Sequence, residues 1–129
     1  AEMTVKSATA IAYRRLLTAR GESVTYRRGG DEVQLTAIPA QTTIEISDAS
    51  ENVSMRGKVQ DWQIVAEHLV LSGNATLPEP MDEIEWTNST QRLTFQVAEP
   101  MSGSAHYRFS DQYRHVLRIH TQLVECVDL

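Results

Sequence analysis

The chain reads SVTYRRGGDEVQLTA from Ser23 to Ala37. Apolar and polar side chains alternate on both sides of its central Gly-Gly pair, with Tyr26 before the pair and Leu35 after it. A period of two is typical of a β-strand with one buried face. Glycine tolerates the positive φ that a tight hairpin turn requires. The stretch therefore predicts a β-hairpin, the first unit of a sheet.

The same period recurs further along the chain. The alternating segments are 43–47, 62–64, 82–87, 91–98 and 115–124. The turn-forming triplet Asn88-Ser89-Thr90 separates two of them, which predicts that Asp82–Thr87 and Gln91–Ala98 pair antiparallel. Short strands at regular spacing predict a mainly β protein, a small antiparallel β-sandwich or barrel with strands between about 23 and 125.

One α-helix is predicted at the N-terminal end, over about 4–20, because apolar residues recur there at helical spacing and Gly21 follows as a stop signal. Its apolar stripe is expected to lie on the core, and Lys6, Arg14 and Thr18 on the other side, in water or on a partner. The stripe consists of Val5, Ala8, Ala12, Leu16 and Ala19. Three long polar segments, 47–56, 72–81 and 99–104, are predicted loops and contact arms.

Length and composition predict one folded domain over residues 1–129, with 41% hydrophobic and 22% charged residues. The net charge of -5 leaves the chain without the basic footprint of a nucleic-acid-binding protein. Cys126 is the single cysteine, so an internal disulfide is excluded. No apolar run reaches the length of a membrane helix, and we expect synthesis in a reducing cytoplasm, with no membrane partner.

Charged residues bunch locally despite the acidic balance. Arginines cluster near the C-terminus, whereas Glu79–Glu85 is acidic. Unlike patches on one small body suit docking between subunits, and solvated surface charge is the alternative explanation. Aromatic side chains such as Trp62, Tyr107 and Phe109 are either interface anchors or core residues. The candidate protein-interface residues are Arg14, Glu83, Glu85, Arg108, Asp111, Tyr113, Arg114 and Arg118.

No arrangement of residues predicts catalysis, and we expect neither a catalytic residue nor a cofactor or metal site. His115 and His120 are an odd number of residues apart, so on a strand they would point to opposite faces. The carboxylates of Asp82, Glu83 and Glu85 are better explained as a solvated face than as an acid-base pair. Nucleophile-elbow and phosphate-loop motifs do not occur in the sequence.

All three asparagines fall in N-x-S/T triplets, at Asn52, Asn74 and Asn88. Such triplets accept glycans only in a secreted eukaryotic protein. A chance grouping of turn residues is the favoured reading, and a secreted adhesion module is kept as an alternative. A small-ligand-binding β-barrel is a further alternative, which would need a concave pocket with convergent polar groups.

The C-terminal segment reads YRFSDQYRHVLRIHT over residues 107–121. It resembles the ending of head-tail joining proteins of tailed phages and prophages, also called head completion or stopper proteins. In these proteins an aromatic segment and a short polar turn lead into a strand resembling Arg118-Ile119-His120-Thr121. The resemblance continues more weakly through 24–30, 61–64, 82–84 and 91–97, and Met81 stands where related chains often have Gly.

The resemblance implies a structural virion protein, made in the bacterial host, that joins the DNA-filled head to the tail. It would form a hexameric or dodecameric ring in the neck, between a portal or adaptor protein and a tail terminator or tail-tube protein. DNA would pass through the lumen without specific binding, so we expect acidic residues to line it and basic residues to face protein. A tail terminator or adaptor of the same neck is the alternative within this class. We expect the free protein to be a monomer.

Overall fold

The structure, a computed structural model, describes residues 5–40, 59–100 and 103–129. Within these ranges the chain forms one α-helix, a short 3-10 turn at Ala66–His68 and nine strands. The helix and strands are α1 (Val5–Arg20), β1 (Glu22–Arg28), β2 (Asp31–Ala40), β3 (Val59–Val65), β4 (Val70–Leu71), β5 (Asn74–Ala75), β6 (Glu83–Thr87), β7 (Gln91–Val97), β8 (Tyr107–Phe109) and β9 (Val116–Asp128). The segments predicted at 43–47 and 47–56 lie outside the described residues.

The sheet closes into a barrel. Its strand order is β3-β2-β1-β6-β7-β9-β8, and an additional pairing of β3 with β9 joins the two sides, while β4 and β5 form a separate small hairpin. Six antiparallel strands therefore make a closed ring, which confirms the mainly β class and its barrel form. Closure pairs the backbone groups that an open edge would leave exposed.

Both predicted hairpins are confirmed. In the first, Val24 of β1 lies opposite Leu35 of β2, and Gly29 makes the turn with φ of 58°. In the second, Ile84 of β6 lies opposite Phe95 of β7. The final strand is longer than predicted, and 72–81 is not wholly a loop, because Asn74–Ala75 forms β5.

The interior of the barrel is filled by large side chains. Trp62 is fully buried, and its ring meets Phe95 edge-on at 5.4 Å and Trp86 at 5.9 Å between centroids. Alternation along each strand sends the remaining core residues inward, and burying each large apolar side chain stabilises the fold by about 1.5–3 kcal/mol. They include Tyr26, Ile64, Ile84, Leu117 and Ile119.

The helix packs on the barrel with a different face from the one predicted. Leu17 is buried and Tyr13 half-buried, whereas Leu16 is 39% exposed. Ala8, Ala12 and Ala19, the other predicted core residues whose side chains are described, are exposed. The physical reason lies at Gly21, where the chain enters β1. Gly21 lies against Leu17 and against Thr36 of β2, and this close approach fixes the rotation of the helix.

Strands β7 and β8 are two parts of one line of pairing to β9. The backbone N–H of Ala98 donates to the carbonyl of His120 at 3.1 Å, and the N–H of His120 donates to the carbonyl of His106 at 2.9 Å. Ala98 thus bonds the carbonyl of His120 and His106 bonds its N–H, so that the two residues share the position opposite His120. Val97 lies opposite Thr121 before it, and Tyr107 opposite Ile119 after it. The chain therefore leaves this line of pairing after Ala98 and rejoins it at His106.

Replacing Gly21 by Ala should destabilise the protein. An added Cβ would lie 2.5 Å from the Leu17 carbonyl oxygen and would clash with Thr36, and such overpacking costs about 1–3 kcal/mol. Gly30→Ala is the matched control, because a Cβ there meets nothing within 4 Å. Urea unfolding should place Gly21→Ala well below the wild type and Gly30→Ala within about 0.5 kcal/mol of it. Equal midpoints for the two variants would contradict this account of α1.

Deleting residues 99–106 should leave a folded barrel. Ala98 would then connect directly to Tyr107, and every pairing of the two strands with β9 would keep its register. Deletion of 98–104 is the control. It joins Val97 to Ala105 and leaves two residues, in place of one, between Val97 and Tyr107, so the pairing opposite His120 loses its register. Thermal unfolding followed by circular dichroism should show a cooperative transition for the first variant and a much lower midpoint for the second. Loss of cooperative unfolding in the first would show that the excursion is part of the fold.

Candidate functional site

The described residues carry several charged surfaces. In the described ranges, no group of three or more His, Cys, Asp or Glu side chains is placed to hold a metal ion. His68 is exposed, whereas the Nε2 of His106 lies 2.8 Å from the Pro78 carbonyl oxygen. No helix in these ranges has the length and apolar character needed to cross a membrane. The candidate sites are the charged groups on the outer surface of the barrel.

The first charged surface runs across β2, β1, β6 and β7, and we call it the β1–β6 ladder. At its centre, Nη2 of Arg27 donates to Oε2 of Glu85 at 2.7 Å, while Glu83 lies 3.7 Å and Glu32 3.4 Å from the same guanidinium. Arg92 lies 3.7 Å from the other oxygen of Glu85. The hydrogen bond to Glu85 is the main reason that the pKa of Arg27 is raised.

Glu83 and Glu85, both predicted interface residues, thus lie on one face as expected. The sequence interpretation missed their partner, Arg27. The sequence contained a signal for this partner. Arg27 is an odd number of residues from the inward-facing Val24 and Tyr26, so its side chain must point outward from β1. Register then places Arg27 directly opposite Glu83. The carboxylates remain partly exposed, with 36% of the Glu83 and 23% of the Glu85 side chain open to solvent.

A buried carboxylate marks the seam where β3 meets β9. Asp61 is 1% exposed, and its two oxygens accept hydrogen bonds from Nε of Arg118 at 2.6 Å and from Nδ1 of His120 at 2.7 Å. A carboxylate removed from water needs such partners, because burying an unpaired charge is costly. The predicted interface residue Arg118 therefore also fixes this seam, which the sequence interpretation missed.

The remaining candidates of the C-terminal region lie in the hairpin of β8 and β9. Oδ1 of Asp111 accepts hydrogen bonds from the backbone N–H groups of His115 and Val116, at 2.8 and 3.0 Å. Asp111 thus closes the turn. Arg114 has φ of 59°, and its guanidinium lies 5.5 Å from the centroid of the Phe109 ring. Tyr113 is half-buried, with its ring 6.2 Å from that of His115.

The structure brings three predicted arginines together on this hairpin. Arg108 and Arg118 are opposite each other in the pairing of β8 with β9, and Arg114 lies in the turn that joins the strands. We call these three residues the arginine hairpin. Arg14, the other predicted cation, lies elsewhere, on an exposed position of α1.

The two charged surfaces lie on opposite sides of the barrel. The strand order places the β1–β6 seam equally far from the β3–β9 seam in both directions around the ring. The β1–β6 ladder belongs to the first seam, and Arg118 of the arginine hairpin belongs to the second. One copy can therefore present both surfaces at once to two different neighbours.

A third feature is the segment Leu77–Asp82, which we call the capping loop. Asp82 is 3% exposed, and its carboxylate accepts from the Tyr26 hydroxyl at 2.5 Å and from Nη2 of Arg28 at 2.8 Å. Arg28 also donates to the Leu77 carbonyl at 2.7 Å and pairs with Glu79 at 2.7 Å. Burial and the bond to Asp82 raise the pKa of Tyr26, and the bond to Asp82 raises that of Arg28.

A family model for phage head-tail joining proteins matches residues 3–128, almost the whole chain. The chain belongs to this family. The resemblance drawn from the C-terminal motif is thereby confirmed, and with it a structural role in a bacteriophage virion. No curated protein and no solved structure gives a significant match.

Membership in this family indicates what kind of partner the charged surfaces of this head-tail joining protein contact. A protein that joins head to tail contacts other proteins of the neck, head or tail, and such contacts use complementary surfaces. The β1–β6 ladder, the arginine hairpin and the capping loop are the candidate surfaces. A structural family also favours a role without catalysis.

Removing the charge of Asp82 should unfold the joining protein at lower denaturant. Asp82→Asn leaves Arg28 without its buried partner, and breaking such a pair should cost at least about 2 kcal/mol. Glu83→Gln, next in sequence but on the partly exposed ladder, is the matched control and should cost about 1 kcal/mol or less. Urea unfolding of both variants tests this. If the two lose the same stability, Asp82 does not anchor the capping loop.

Proposed function

We propose that this joining protein is the head completion, or stopper, protein of the phage neck, in a ring between the portal or adaptor protein and the tail. The observation that carries the proposal is the match of the head-tail joining family over residues 3–128. The protein would be made in the cytoplasm of the bacterial host and would become part of the neck of the virion.

The placement of charge supports ring assembly. A ring of identical copies needs heterologous contacts, in which one patch meets a different patch on the next copy. The β1–β6 ladder has more carboxylates than guanidiniums, since Glu32, Glu83 and Glu85 accompany Arg27 and Arg92. The arginine hairpin has the opposite sign through the exposed Arg108 and Arg114, since Arg118 is paired with Asp61, and it lies across the barrel. Docking of one on the other repeats from copy to copy.

The proposal also accounts for the acidic balance of the chain. The lumen of a neck ring passes DNA, and a net charge of -5 on each copy disfavours adhesion to phosphate groups. Because the filled interior of each barrel has no room for a strand of DNA, the channel must lie between copies. The loops at the ends of the barrel that make no contact between copies remain for the portal or adaptor on one side and the tail terminator or tail tube on the other.

Particles that lack this protein should accumulate as DNA-filled heads separated from tails. Adding the purified wild-type protein to such heads and tails should restore joined particles, counted by negative-stain electron microscopy. The double variant R108E/R114E should give at least tenfold fewer, because it reverses the sign of the arginine hairpin. Ser89→Glu, in the distant β6–β7 turn, is the control for added negative charge and should join normally. Tailed, filled particles formed without the protein would refute the proposal.

A further inference from the structure

The capping loop displays apolar side chains that the barrel does not use. Met81 is 70% and Leu77 46% exposed. Met81 also has φ of 78°, a region that residues other than glycine rarely adopt. A contiguous exposed apolar patch marks an interaction surface in a soluble protein, and these two side chains lie on one short loop.

The display is held in place by the fold. The N–H of Met81 donates to the carbonyl of Val97 at 3.0 Å, and the N–H of Glu79 donates to the buried carboxylate of Asp82 at 2.9 Å. Arg28 holds the Leu77 carbonyl from the other side, at 2.7 Å. The loop is therefore preorganised, and a partner that binds it has little ordering entropy to overcome.

A second unused surface lies on α1. Leu16 is 39% exposed, about 100° around the helix from the buried Leu17. The sequence of α1 contains Lys6, Arg14, Arg15 and Arg20 but no acidic residue. Within the described ranges, Arg14, Arg15 and Arg20 are exposed and take part in no ion pair. Arg20 is about 40° and Arg15 about 100° around the helix from Leu16. The exposed side of α1 is thus apolar at Leu16 and basic beside it.

These two surfaces are complementary in both apolar character and charge. In the capping loop Glu79 lies in sequence between Leu77 and Met81, and its side chain is 61% exposed although it pairs with Arg28 at 2.7 Å. Arg28 also pairs with the buried Asp82, so the two carboxylates together outweigh the one guanidinium. On α1 an apolar centre lies beside uncompensated arginines. Residues 66–91, which include the capping loop, contain no Lys or Arg. An acidic apolar surface and a basic apolar surface on the same chain attract each other between copies.

Their positions differ around the barrel and suit contact between copies. The helix packs on β2, whereas the capping loop precedes β6 and is bonded to Arg28 at the end of β1 and to Val97 at the end of β7. The loop is thus centred two strands away from β2 in the order around the ring. Two different surfaces of one subunit are those that a heterologous contact requires.

We propose that the capping loop of one copy docks on the exposed side of α1 of the next copy. Leu77 and Met81 pack against Leu16, and Glu79 faces the arginines of the helix. The contact repeats from copy to copy around the ring. This inference rests on the proposed ring and names the surfaces that hold its copies together.

Disulfide trapping in assembled particles tests the contact. The variant L16C/M81C is made with Cys126→Ser, incorporated into particles and oxidised, and its covalent products are separated on a non-reducing gel. Because residue 16 of each copy would meet residue 81 of the next, the double variant should give a ladder that continues beyond the dimer. The single variants L16C and M81C, in the same background, should remain monomeric.

The outcomes separate this inference from the proposed function. If particles contain the double variant but oxidation gives no oligomer, or if M81C alone gives the dimer, the contact is wrong while the neck role stands. If the protein is absent from the necks of wild-type particles, the proposed function fails. Met81→Gly is a second test, because Gly suits the positive φ yet removes the apolar side chain. It should unfold at the same or higher temperature and give at least tenfold fewer joined particles, and normal joining would overturn the contact.

Discussion

The pairing of β3 with β9 is the constraint on which the rest of the structure depends. Trp62 and Ile119 lie opposite each other there, at the point where a long sheet becomes a closed ring. Closure fills the interior with the Trp62 ring and leaves recognition to the outer face. It also determines which surfaces are opposite, because the order of strands around a ring is fixed once the ring is closed.

The local parts of this fold could be predicted from the sequence, and the closure could not. The hairpins at Gly29 and at Asn88 are short-range, so alternation and turn chemistry are sufficient to predict them. The β3–β9 seam joins residues far apart in the chain, and no pattern in the sequence of either strand indicates which strand it pairs with. The predicted rotation of α1 about its axis was wrong for a related reason. The helix carries more than one apolar stripe, and the contact of Gly21 with Thr36, which no periodicity reports, selects the one that is buried.

The candidate surfaces were predictable as residue types but not as partnerships. Glu83 and Glu85 were recognised as outward-facing, whereas their pairing with Arg27 follows from the register between β1 and β6. Asp61 is next to the inward-facing Trp62, so alternation places its side chain on the outer face, and yet the residue is only 1% exposed. Its burial arises only when β9 brings Arg118 and His120 alongside. Side-chain alternation thus predicts the face of a residue, and strand order decides its neighbours.

Arginines in this protein divide according to what they bind. Arg27, Arg28 and Arg118 bind carboxylates of other strands and loops, and so hold the barrel and the capping loop in shape. Arg15 on α1 and Arg108 on β8 have no such partner among the described residues and are exposed. A guanidinium already bound to a buried carboxylate has little left to offer a neighbour, whereas an exposed, unpaired one keeps its donors for a partner. Association between copies therefore gains its charge contacts from the unpaired arginines. The paired arginines keep rigid the surfaces that those unpaired arginines contact.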